Sequence, residues 1–220
     1  MNCIICNKPM KPLVSDLFRC KFCQLVSCST PLDKSIYDKS YCLKYQRYSQ
    51  REENVLLQQL RFDFVKKYTE QGRLLDFGCG NGSFLQFIDG QFEDSSGFDI
   101  NPYSGFLNIG VLLRRYEIVT FWDSLEHLEN PGEIISGIKP DFVFVSTPST
   151  DDIDFSNILN WRHYIPEEHV HFFNLKSLTD LFNSIGYAVI DYNYNESTIR
   201  KSGGEKNILT VAAQIQGERQ

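Results

Sequence analysis

Leu74-Leu75-Asp76-Phe77-Gly78-Cys79-Gly80-Asn81-Gly82-Ser83-Phe84-Leu85 is the stretch on which the reading of this 220-residue chain turns. A short, mostly apolar run leads into three glycines at alternate positions, and apolar residues resume at once. The pattern predicts a strand, a tight turn and the start of a helix. Glycine opens backbone conformations closed to other residues and lets a ligand approach the main chain. Asp99, in Gly97-Phe98-Asp99-Ile100, lies 23 positions after Asp76 and closes the next expected strand. An acidic residue there can hold ribose hydroxyls.

The spacing selects among nucleotides. A dinucleotide fingerprint needs Gly-x-Gly-x-x-Gly. Here Ser83 stands at the third glycine's place and Gly82 comes one residue early. Pyrophosphate prefers a helix N-terminus without a carboxylate beside it, and Asp76 is just upstream. A carboxylate there suits the ammonium and sulfonium of S-adenosylmethionine (SAM). An NAD-dependent oxidoreductase is disfavoured on the same grounds.

Outward from the glycine loop, strands are expected at 73–77, 96–100, 117–121, 141–146, 187–194 and 208–213. Helices are expected at 51–67, 82–87, 131–137 and 175–185, the last framed by Asn174 as N-cap and Gly186 as stop. Strand and helix in alternation imply an α/β fold with a doubly wound, mostly parallel sheet. The last two strands leave no room for a long helix between them and predict an antiparallel C-terminal strand. Only 17 residues separate Asp99 from Glu117, so the helix or strand expected between them is shortened.

Residues 1–30 hold five of the seven cysteines. Cys3-Ile4-Ile5-Cys6 and Cys20-Lys21-Phe22-Cys23 are two CxxC turns. Each can present two thiolates on one side of a loop, and four thiolates in a tetrahedron are a structural zinc site. Metal binding also supplies folding energy that so short a segment lacks. Cys28, Cys42 and Cys79 are read as buried thiols. The chain thus divides into a zinc ribbon (1–30), a Tyr-rich helical connector (31–70) and a SAM-binding domain (71–220).

The net charge of −6 argues against a broad polyanion-binding face, and so against general nucleic-acid binding. No run of about 18 apolar residues is present, so no membrane span is expected. The start of the chain lacks the apolar stretch of a signal peptide. A cytoplasmic location is expected, where cysteines serve as metal ligands or free thiols.

These motifs together resemble the class I SAM-dependent methyltransferases, in particular bacterial and phage members with an N-terminal four-cysteine zinc ribbon. The resemblance runs from the CxxC turns and the Tyr-rich stretch 37–48 through the glycine loop, Gly97-Phe98-Asp99-Ile100-Asn101-Pro102 and Val119-Thr120-Phe121-Trp122-Asp123-Ser124-Leu125-Glu126-His127-Leu128. It ends in Trp161-Arg162-His163-Tyr164-Ile165-Pro166-Glu167-Glu168-His169-Val170-His171-Phe172-Phe173. It implies a Rossmann-like domain in which Asp76, Phe77, Gly78, Gly80 and Gly82 lie along the methionine part of SAM. Asp99, with Ile100, is implied at the ribose, and Trp122 and Asp123 on the adenine or sulfonium side. Tyr41 and Tyr45 are implied to close over the cofactor.

The stretch 161–173 carries three of the four histidines, but their spacing is not a helical HExxH metal pattern. Glu168-His169 resembles the Glu-His motif of zinc-ribbon sugar C-methyltransferases. It implies His169 as base or substrate orienter, with Glu168 in support. Glu126-His127 is a similar pair for which loop pinning is at least as good a role. The expected activity is methyl transfer from SAM to a small-molecule acceptor, a sugar or nucleotide-linked sugar. Methylation of protein or nucleic acid, and a non-catalytic scaffold whose ribbon binds a protein partner, stay open at this point.

Overall fold

The computed structural model describes residues 1–49, 51–200 and 204–217, with the side chains of Tyr45, Tyr48 and Ser49 outside the description. Three short strands come first: β1 (Lys11–Val14), β2 (Leu17–Arg19) and β3 (Val26–Cys28). Helices α1 (Lys39–Ser49) and α2 (Glu52–Lys66) follow. Then come β4 (Arg73–Phe77), α3 (Ser83–Phe87), β5 (Asp94–Phe98), β6 (Ile118–Trp122), α4 (Pro131–Ile138) and β7 (Phe142–Pro148). The chain closes with β8 (His171–Phe172), α5 (Leu175–Ser184), β9 (Tyr187–Asn193), α6 (Glu196–Arg200) and β10 (Ile208–Ile215).

Six strands form the central sheet in the order β5-β4-β6-β7-β10-β9. The first four run parallel, and β10 is antiparallel to both β7 and β9, as the sequence implied. Alternation along the strands builds two cores, because successive side chains point to opposite faces. Leu75, Phe77, Val119, Phe121, Val143 and Val145 meet α4 and α5 on one face. Leu74, Ile118, Trp122 and Phe144 meet Phe64 and Val65 of α2 and Phe84 of α3 on the other. The connector helix α2 is therefore one of the sheet's covering layers.

The segment after Asp99 is reduced further than expected. Among the described residues it holds neither a strand nor an α-helix, only a 3-10 stretch at Ile109–Leu113. The 19 residues between β5 and β6 are enough for one parallel crossover of a dozen or more, but not for two crossovers with a further strand between them. β5 is left at the sheet's edge, where Arg114 reaches across to the Asp94 carboxylate and the Ser96 hydroxyl.

A second sheet, β1-β2-β3-β8, joins the cysteine-rich segment to the far end of the chain. Val26 pairs with Phe172 and Ser27 with His171. The Phe172 ring enters the ribbon's apolar cluster with Leu17, Val26 and Ile158, whereas Phe173 enters the main core. Full burial of each ring contributes roughly 1.5–3 kcal/mol. Cys3, Cys20, Cys23 and Leu25 share that main core with Leu75 and Leu178. The ribbon is thus packed as part of the same body. Among the described residues, no helix is long and apolar enough to cross a membrane.

Candidate active site

The glycine loop joins β4 to α3 at the carboxyl end of the parallel strands, where open α/β sheets bind ligands. Its three glycines all have positive φ, but they serve different ends. A Cβ on Gly78 would lie 2.3 Å from Ser124 Cβ, so this glycine lets the loop pack on the turn after β6. A Cβ on Gly82 would lie 2.5 Å from the Phe106 ring, which has folded over the loop. A Cβ on Gly80 would meet nothing within 4 Å, so the main chain there is open to a ligand. Of the three, Gly80 has the geometry implied for cofactor contact, and Gly82 is held by Phe106.

Asp99 is tied into this cradle. Gly80 N–H donates to its Oδ2 at 2.7 Å and Asn101 N–H to its Oδ1 at 2.7 Å. Each carboxylate oxygen keeps further acceptor capacity toward a hydroxyl. Asp76 is buried beneath the loop and accepts from the Thr120 hydroxyl at 2.7 Å. Burial pushes its carboxyl up to about 7, against the opposing pull of Thr120 and Arg61. Burial raises Asp99 as well. Burial disfavours both carboxyls as anions, and a cation beside them would favour the ionised form.

The other side chains implied around the cofactor are placed differently. Phe77 lies in the core, 5.1 Å from Phe98 and 5.3 Å from Phe121 between ring centroids, and only its backbone borders the loop. Ile100 is half exposed beside Asp99. The Trp122 indole is buried edge-on to Phe84, with the Arg61 guanidinium 5.0 Å from its ring. Asp123 adopts φ +55°, a conformation that costs a non-glycine residue of order 1–3 kcal/mol. Its carboxylate accepts from Arg61 at 2.8 Å and from Arg200 at 2.5 Å. Both arginines also pair with the fully buried Glu196. Asp123 is therefore engaged in a four-charge cluster of two arginines and two carboxylates, with its side chain still 33% exposed.

Arg61, Glu196 and Arg200 were not singled out by the sequence. One signal was available: Gln58, Arg61, Phe64 and Val65 form the inward face of α2, so two polar residues stand where an amphipathic helix should be apolar. Glu196 and Arg200 are also an i, i+4 pair.

The histidine segment forms the opposite wall. His169 Nδ1 lies 2.8 Å from the His163 carbonyl, which can only accept, so Nδ1 carries the proton. Glu168 does not orient His169 by a hydrogen bond; its Oε1 accepts from Tyr41 at 2.6 Å. Tyr41 thus reaches the histidine segment through Glu168. Tyr45 lies on the same helix with its side chain outside the described residues. The His127 ring stands edge-on to His169 at 4.8 Å, and its Nδ1 meets the Tyr37 hydroxyl at 3.1 Å. Val170 N–H donates to the Glu126 carbonyl, joining the two Glu-His segments. His171 bridges onward, from the Glu129 carbonyl to the Ser27 hydroxyl of β3. Burial holds His127, His163 and His171 well below the usual imidazole range, at about 3, 4 and 4, so the wall is neutral.

At the other end, Cys3, Cys6, Cys20 and Cys23 bring their sulfurs within 4.8 Å of one another. Both CxxC turns close alike. Asn7 N–H donates to the Cys3 carbonyl and Gln24 N–H to the Cys20 carbonyl, with φ +56° and +63° at Asn7 and Gln24. None of the four is in a disulfide. Burial pushes Cys3 up to about 11 and Cys23 further. So dense a thiol set fits a divalent ion that would stabilise the thiolates.

Two larger cavities flank the site. One, of about 350 Å³, lies between α2 and the C-terminal hairpin and touches the site through Arg61 and Glu196. The other, of about 450 Å³, lies along Asn81, Gly82 and Phe106.

The glycine loop, Asp76 and Asp99 form an acidic cradle at the carboxyl ends of the parallel strands of this α/β fold. Residues 44–192 match the family model of the methyltransferase domain, and the chain belongs to that family, which implies SAM dependence. No curated protein matches the chain. A SAM-dependent methyltransferase from Archaeoglobus fulgidus shares the fold at TM-score 0.58 and 16% identity, covering 79% of this chain and 99% of its own. The 1,6-didemethyltoxoflavin-N1-methyltransferase of Burkholderia thailandensis, with bound S-adenosylhomocysteine, matches at TM-score 0.60 and 13% identity, covering 94% and 99%. The magnesium protoporphyrin IX methyltransferase of Synechocystis PCC 6803 matches at TM-score 0.57 and 13% identity, covering 84% and 100%.

Proposed function

We propose that this chain transfers a methyl group from SAM to a small polar acceptor, a sugar or nucleotide-linked sugar, and that its four-cysteine cluster holds structural zinc. The observation that carries the cofactor assignment is the cradle itself: an open Gly80 backbone tied to Asp99, above the buried Asp76. Asp99 would hold the ribose, the backbone of Gly78 and Gly80 would border the methionine part, and Asp76 would offset its ammonium. SAM supplies a methyl on a sulfonium, which leaves as a neutral thioether. The chain's own task is to align the acceptor and exclude water. His169 and Glu168 are the side chains placed against the acceptor, with Tyr41 fixing Glu168.

A small acceptor is supported by the net charge of −6, which disfavours a polyanion, and by fold relatives named for small substrates. The ribbon is supported as a wall of the site because its β3 edge is taken by β8. That pairing weighs against the ribbon as a free docking module. The test is a discontinuous assay of S-adenosylhomocysteine release from SAM across a panel of sugars, nucleotide-sugars, RNA and protein. Acceptor-dependent release with the sugar set, abolished by Asp99→Ala, is the expected result. Release confined to RNA or protein would overturn the acceptor assignment.

A further inference from the structure

The acceptor wall contains a donor set that neither Glu-His pair shows alone. Glu126 and His127 sit on the turn after β6, and His169 precedes β8 in the chain, 42 residues after His127. One ligand-type atom from each lies within 4.8 Å of the other two. We propose that Glu126, His127 and His169 together bind a divalent first-row transition-metal ion whose open positions receive a hydroxyl of the acceptor. This rests on the methyl-transfer reading of the same site.

Three observations carry it. First, Glu126 is only 1% exposed, and its Oε2 has no hydrogen-bond partner. A buried carboxylate oxygen left unpaired is costly, and a cation removes the cost. Second, the proton on His169 Nδ1 is committed to the His163 carbonyl, which leaves a lone pair on Nε2. His127 Nδ1 meets the Tyr37 hydroxyl, which can accept its proton and so leave the Nε2 lone pair to an ion. An outer hydrogen bond on one ring nitrogen is the arrangement that orients metal-binding histidines. Third, the set is preorganised. The Val170 N–H to Glu126 carbonyl bond at 3.0 Å and the β3–β8 pairing fix the two segments on each other.

Two imidazoles and one carboxylate suit zinc, manganese, iron or cobalt better than magnesium, and three protein ligands leave positions open. A hydroxyl placed there is more acidic than in water. Its proton passes to solvent, the oxygen forms the new O–CH3 bond, and the CH3–S bond breaks to give the neutral thioether. No electron is gained or lost by the ion. His169 then acts as a ligand and not as the base.

Manganese(II) separates this site from the cysteines, because thiolate sites favour softer ions. Mn(II) is titrated into full-length protein loaded with a single equivalent of zinc, which the four thiolates take up first, and the free ion is followed by electron paramagnetic resonance. One saturable Mn(II) per chain is expected, unchanged by SAM-site variants such as Asp99→Ala. Glu126→Gln, nearly isosteric, and His127→Ala should each weaken it at least about tenfold, and Tyr37→Phe by roughly tenfold. Absence of saturable Mn(II) in protein that circular dichroism shows to be folded, or unchanged affinity in Glu126→Gln, overturns the inference. A SAM titration on the same samples keeps the two readings apart. SAM binding without Mn(II) removes only the ion site, whereas Mn(II) binding without SAM removes the methyl-transfer reading and leaves the ion site standing.

Discussion

The proposed cofactor side and the proposed acceptor side of this site are built in opposite ways. The cofactor side comes from one stretch, Asp76 to Asp99, in which a strand, a glycine turn and the next strand end place every group. The acceptor side is assembled from four distant pieces. Tyr37 and Tyr41 come from the connector, Glu126 and His127 from the turn after β6, His169 from the segment before β8, and Ser27 from the ribbon. A local loop needs only the sheet beneath it. An assembled wall needs every contributor docked, so its integrity depends on the ribbon.

Zinc removal presses hardest on that contrast. Cys20→Ser should eliminate bound zinc and lower the thermal midpoint by about 10 °C or more, since the ribbon shares the main core. Turnover should fall further than SAM affinity. Equal losses in both would mean that the two sides are not separately supported. The readouts are metal analysis, scanning calorimetry and SAM titration.

Arg61 is the next largest lever. Arg61→Met leaves the buried Glu196 and Asp123 short of one cation, and should cost about 3–5 kcal/mol in chemical denaturation. A cost below 1 kcal/mol would show that the four-charge cluster is not a joint between α2 and the C-terminal hairpin.

The glycines sharpen the comparison within one loop. Gly80→Ala meets no neighbour, so its stability cost should be only the roughly 1–2 kcal/mol of a left-handed backbone, while SAM affinity falls. Gly82→Ala strikes the Phe106 ring and should lose more stability. The reverse ranking would move the ligand from Gly80 to Gly82.

The remaining effect is one of pH. Asp76 is held up at about 7 in the fold, against about 3.9 for an unperturbed aspartate. Between those values the folded chain keeps a proton that the unfolded chain has lost. Stability of the unliganded protein therefore falls as pH rises from about 4 to about 7. A bound ammonium favours the ionised carboxylate, so SAM affinity should rise toward the upper end of that window. Asp76→Asn should flatten both trends in denaturation and titration series.

The same contrast explains what could be read from the sequence. Strand periodicity, the glycine turn, Asp99 and the two CxxC turns are local patterns, and the structure sets strands near the expected positions, Asp99 against Gly80 and the four sulfurs together. The antiparallel end of the sheet followed from the short link between its last two strands. Legibility ended where position depends on packing. Trp122 and Asp123 are adjacent to the cradle in sequence, yet one ring turns into the core beneath α2 and one carboxylate goes to two arginines. Glu168 and His169 are neighbours in the chain, but their hydrogen bonds run to Tyr41 and to the His163 carbonyl. The grouping of Glu126, His127 and His169 spans 43 positions, with no periodicity to announce it.

Calorimetric titration of SAM into the zinc-replete protein, with Asp99→Ala and NADH as controls, tests the central claim most directly. Micromolar binding that Asp99→Ala weakens at least tenfold (about 1.4 kcal/mol), with no heat from NADH, is the predicted result. A folded protein that takes up no SAM, or that binds it equally well without the Asp99 carboxylate, would contradict the account.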